Sequence, residues 1–145
     1  MRTISILLVV CVFLALASPM VLYWWGKSNV SGLPASSEIR LTVEQNVMLW
    51  EKFGGNGEPA IKKLNPYTFI GSLICQKKHT MKSDICSKTY PGLAHASYAV
   101  RDHIDQNIQN VGNIERNVSW AAYTIWATKT WSIDRILGKL SEQNL

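Results

Sequence analysis

The sequence predicts a mainly α-helical protein, with an amino-terminal transmembrane helix followed by a small helical domain. Three observations carry this expectation. An uncharged apolar run fills Ile4 to Trp25, apolar residues further along recur every three or four positions, and no segment alternates persistently enough to be read as a strand. The expected division is residues 1–26 as a membrane anchor, 27–38 as a flexible tether and 39–145 as the helical domain. With the first 25 residues set aside, about 110 to 120 remain to build a core.

The apolar run is the first element. At 1.5 Å per residue its length matches a hydrocarbon layer of about 30 Å. Tyr23, Trp24 and Trp25 stand at its far end, where amphipathic rings favour the headgroup layer, and Lys27 follows. The rival reading is a cleaved signal peptide, since Ala15-Leu16-Ala17 fits the small-residue pattern of a cleavage site. Cleavage would leave an exposed apolar start, Ser18 to Trp25, so an uncleaved signal-anchor is favoured. Either way the domain is expected on the extracytoplasmic side of the inner (cytoplasmic) membrane, held by one pass.

The stretch that follows, rich in Gly, Ser and Pro without periodicity, reads as the tether. Thr42 opens a helix with a capping box to Gln45, Val43, Val47 and Trp50 share a face, and Gly54-Gly55 supplies the stop. Asn65 and Pro66 suit the cap and first position of the next helix, in which Phe69, Ile70, Leu73 and Ile74 are expected on one face. Lys77 and Lys78 fall at the negative end of its dipole. The polar stretch Gln76 to Lys88 carries no clear helical signal. Beyond Tyr90-Pro91-Gly92, the positions Leu93, Ala96, Val100, Ile104 and Ile108 mark an amphipathic helix.

From Glu115 the residues Val118, Ala121, Ala122 and Ile125 trace a stripe, with Trp120 and Trp131 expected to serve packing. Ser132 then caps a short last helix carrying Ile133, Ile136, Leu137 and Leu140. At about three turns that helix needs a surface to bury against.

Few residues suggest chemistry. There is no glycine-flanked nucleophilic serine, and the glycines at 54–57 follow a helix without the Lys-Ser/Thr of a phosphate loop. His95 and His103 fall about 80° apart on a helix, and Asp102 and Asp105 read as its solvated face. Cys75 and Cys86 can pair as a disulfide in an oxidising compartment. A metal site recruiting His79 and His95 is disfavoured, because the spacing is not that of a zinc site and the lysines would repel a cation. No metal and no cofactor are expected.

The net charge is +5. Lys62, Lys63, Lys77, Lys78, Lys82 and Lys88 fall in a segment whose one acid is Asp84. Near a membrane each lysine adds about 1 kcal/mol of attraction to anionic lipid. Anionic lipid is therefore an expected partner, and an extracytoplasmic domain makes nucleic acid an unlikely one.

The closing stretch, Trp120 to Leu145, resembles a helix-turn-helix segment of the peptidoglycan glycosyltransferases, glycosyltransferase family 51. The resemblance rests on Ser132 as cap, Asp134, Ile136 and Leu137, with Arg116 where the family tends to carry a basic residue. It implies a membrane helix before a lysozyme-like helical domain, here shortened to a partial one, that grips lipid-linked disaccharide diphosphate. The chain departs from the family where chemistry is done. Glu51 to Gly55 does not match the motif around the first catalytic glutamate, and the second glutamate falls on Trp120. The resemblance therefore implies a degenerate, non-catalytic transglycosylase-like domain. It would bind lipid-linked wall precursor, or a cell-wall synthesis partner, through Lys62, Lys63, Lys77, Lys78 and Lys82. The alternatives are a divergent active enzyme using Glu44, Glu51 or Asp102 as base, and a structural envelope protein that docks on another protein.

Overall fold

The computed structural model describes residues 2–78, 84–109 and 112–143. It is mainly helical, as expected: α1 Arg2–Ser28, α2 Val43–Lys52, α3 Pro66–Lys78, α4 Asp84–Thr89, α5 Leu93–Asn107, α6 Asn113–Thr130 and α7 Ile133–Gln143. Among the described residues there is no strand. An isolated antiparallel bridge pairs Val30 with Ile108.

The part of α1 from Ile6 to Ser28 is long and apolar enough to cross a membrane. Pro19 lies inside it, and the N–H that proline lacks would leave the Ala15 carbonyl without its helical donor. The Ser18 hydroxyl donates to that carbonyl at 2.9 Å, and the helix continues unbroken. At its far end Gly26 lies directly on α6. A Cβ there would stand 2.5 Å from the Val118 carbonyl oxygen and 2.8 Å from the Ala122 Cβ.

The segment expected to be a loose tether is instead a strap laid over the domain. The helix absorbs residues 27 and 28, Asn29, Val30 and Ser37 are buried, and the Ser31 N–H donates to the Asn107 carbonyl at 3.1 Å. The Tyr123 hydroxyl donates to the Gly32 carbonyl at 2.8 Å. Backbone polar groups and Val30 thus find partners on the domain, which a solvated linker would lack.

α6 is the central element, packed on α1, α3 and α5, and α7 packs on α5 and α2. The larger core joins Trp50, Val100, Ile104, Tyr123, Ile136, Leu137 and Leu140. A smaller one joins Leu64, Phe69, Leu93 and Ile125, with Tyr23 of α1 and Trp120 against it. α7 therefore buries its apolar face within the chain, where each such side chain contributes about 1.5–3 kcal/mol. The Thr42–Gln45 capping box forms, and the Asn65 side chain accepts from the Thr68 N–H at 2.9 Å.

The structure differs from expectation in α3. Pro66, Phe69 and Ser72 are buried, whereas Ile70, Leu73 and Ile74 are exposed. Part of the polar stretch is also helical, forming the end of α3 and α4.

Candidate functional site

Gly92 sets where α5 begins. Its φ of +76° suits glycine, and a Cβ there would lie 2.7 Å from the Ala60 carbonyl oxygen. The Lys62 N–H donates to the Pro91 carbonyl at 3.0 Å, fixing the same turn. The first half of α5 consequently stands between two grooves, of about 690 Å³ and 520 Å³, and Gln76, Leu93, Ala94 and Tyr98 line both.

Trp50 and His95 form one wall of the larger groove. Their rings stack with centroids 4.1 Å apart. His95 Nε2 lies 2.9 Å from the Trp50 carbonyl, which can only accept, so this nitrogen carries the proton. Burial holds the His95 pKa below the usual imidazole range, against the opposing pull of that carbonyl. Gly55 covers the indole so closely that a Cβ would meet ring atoms at 2.3 Å. Lys88 and Glu58 also line this groove.

The smaller groove combines an apolar floor with charge. Phe69, Leu73 and Trp120 supply the floor, and the Trp120 indole N–H donates to the Ser97 carbonyl at 3.3 Å. Arg116 places Nε 2.9 Å and Nη2 2.5 Å from Asp105 Oδ1, and Arg101 Nε lies 3.8 Å from Asp105 Oδ2. Two guanidinium groups against one carboxylate leave a net positive charge at the rim.

Of the lysines expected to act together, Lys62 and Lys63 precede α3 in the chain, and Lys77 and Lys78 form its last turn. The Lys62 ammonium is engaged, donating to the Thr89 carbonyl at 2.9 Å and standing 4.7 Å from the Tyr90 ring centroid. Lys63, Lys77 and Lys78 are exposed, and Lys82 lies outside the described residues, as does His79. Cys75 and Cys86 are joined as a disulfide, with Cα atoms 5.9 Å apart, which ties α4 to α3. Neither thiol is then a metal ligand. Among the described residues no group of three metal-binding side chains forms.

Glu44, Glu51 and Asp102 are exposed, and none of them lines either groove. The carboxylates that do are Glu58 and the arginine-bound Asp105. Arg101, Asp105 and Tyr98 were not legible as site residues, and Arg116 was singled out only through the family resemblance. Comparison with protein-family models, curated proteins and solved structures finds no match to this chain.

Proposed function

We propose that this chain is a single-pass inner-membrane protein whose extracytoplasmic domain binds lipid-linked peptidoglycan precursor, or a wall-synthesis partner, without catalysing glycosyl transfer. The observation that carries the reading is the smaller groove. An apolar floor under an arginine rim suits a molecule with a hydrocarbon part and a diphosphate, and the helix that supplies Leu73 is bonded to the membrane helix through Tyr67. The disulfide favours an oxidising compartment.

Transfer would need a base to activate the acceptor hydroxyl. In the smaller groove Asp105 is committed to Arg116, Glu58 lines the larger groove alone, and Glu44, Glu51 and Asp102 stand outside both. This supports a binding role over an enzymatic one. Docking on another protein is the second reading, favoured by the exposed Leu33, Val43 and Met48.

The test uses the full chain in nanodiscs with and without lipid-linked precursor, at low and high salt. Precursor-dependent binding of a soluble labelled acceptor analogue, or fluorescence quenching by labelled precursor, is expected to weaken in high salt and in Arg101→Glu with Arg116→Glu. Equal signals with and without precursor would sink the proposal. Incorporation of labelled precursor into glycan would instead establish the enzyme.

A further inference from the structure

A bilayer and the domain would compete for the same stretch of α1. The Tyr67 hydroxyl of α3 donates to the Leu16 carbonyl at 2.8 Å, Tyr23 joins the smaller core and Gly26 lies on α6. The domain therefore flanks α1 from Leu16 onward. From Thr3, which follows the charged Arg2, to Leu16 the helix rises only about 20 Å, short of the roughly 30 Å of a hydrocarbon core. A bilayer spanned by α1 must then extend some 10 Å past Leu16, to about Tyr23, and tilt of the helix only adds to that requirement. At this depth the beginning of α3 lies beside α1.

We propose that α3 is a second membrane element: the face bearing Tyr67, Ile70, Leu73 and Ile74 lies in the hydrocarbon of the bilayer that α1 crosses, with Lys77 and Lys78 at the headgroups.

The chemistry of α3 suits that solvent. Leu64 to Gln76 carries no charge. Ile70 is 40% and Ile74 51% exposed, on the side of the helix away from the buried Phe69 and Ser72. Each hydroxyl on α3 donates to a backbone carbonyl: Tyr67 to Leu16, Thr68 to Asn65 and Ser72 to Phe69. No hydroxyl would be left unpaired where water is absent. The disulfide holds α4 against the far end of α3, and Ile85 is exposed there. Lys77 and Lys78 have aliphatic stems long enough to lay along the apolar surface while their ammonium groups reach the phosphates. This rests on the part of the proposed function in which α1 crosses a membrane; Leu73 also lines the smaller groove, which would then open toward the hydrocarbon.

Depth is measured with spin labels on the full chain in nanodiscs of three parts phosphatidylethanolamine to one of phosphatidylglycerol. In a Cys11→Ser background, with Cys75–Cys86 left oxidised, single labels are placed at Ile70→Cys, Leu73→Cys, Phe13→Cys and Met48→Cys. A single free thiol per variant verifies that the native disulfide has formed. Labels at 70 and 73 are expected to collide with dissolved oxygen more than with a water-soluble nickel chelate, as at 13, while 48 on α2 shows the reverse. Labels at 70 and 73 that behave like 48 while 13 remains lipid-exposed would overturn the proposal. A label at 13 exposed to water would remove its premise, the membrane-crossing helix.

Discussion

Replacing Gly26 with alanine tests whether α1 is docked on the domain or merely precedes it. The added Cβ would lie 2.5 Å from the Val118 carbonyl oxygen and 2.9 Å from its carbon. Ordinary contact needs about 3.5 Å, so the two helices must separate by roughly 1 Å. The obstructing atoms are backbone and cannot rotate aside, which places the cost near the upper end of overpacking, about 3 kcal/mol. Alanine recovers about 1 kcal/mol of helix propensity over glycine. The net loss is about 2 kcal/mol, a fall in Tm on the order of 4–8 °C for a chain of this size. Thermal unfolding of the full chain in nanodiscs, followed by tryptophan fluorescence, reads the difference. A variant as stable as the parent, or more stable, would show that propensity alone acts at this position and that α1 does not lie on α6.

Removing the Cys75–Cys86 crosslink in a double alanine variant should lower stability by about 3 kcal/mol, the entropy of closing a loop of this length in the unfolded chain, read by chemical unfolding; an unchanged midpoint would refute it. The lowered pKa values of His95 and His103 carry a defined sign, because the unfolded chain takes up protons at these sites before the folded one does. Stability should therefore fall as pH drops through about 6.5, the ordinary imidazole value. His95→Gln, which keeps a donor for the Trp50 carbonyl, should lose less stability between pH 7.5 and 5.5 than the parent; equal losses would remove His95 from the account.

Much of the helical plan was legible because caps and stops are local chemistry. Thr42 with Gln45, Asn65 with Pro66, and Ser132 ahead of Ile136 and Leu137 each mark an element that forms. The facing of α3 was not legible, since apolar residues surround that helix and periodicity alone cannot choose between Phe69 and Ile70 as the inward residue. The strap was misread for a related reason: a segment without periodicity can still be held by backbone hydrogen bonds to distant residues, and composition does not show them. The grooves depend on residues from separate elements. Arg116 of α6 meets Asp105 of α5, a pairing that spacing does not announce. The lysines were visible as a run, but the engagement of Lys62 with the Thr89 carbonyl and the Tyr90 ring was not.

The strap also fixes an order of events during synthesis. Residues soon after α1 lie against α7: a Cβ on Gly138 would stand 2.9 Å from the Ser37 hydroxyl oxygen. This contact spans about a hundred residues and cannot form until α7 has left the ribosome. Helix α1 is therefore made long before its own continuation has a seat, and residues 37–39 find theirs only when α7 arrives.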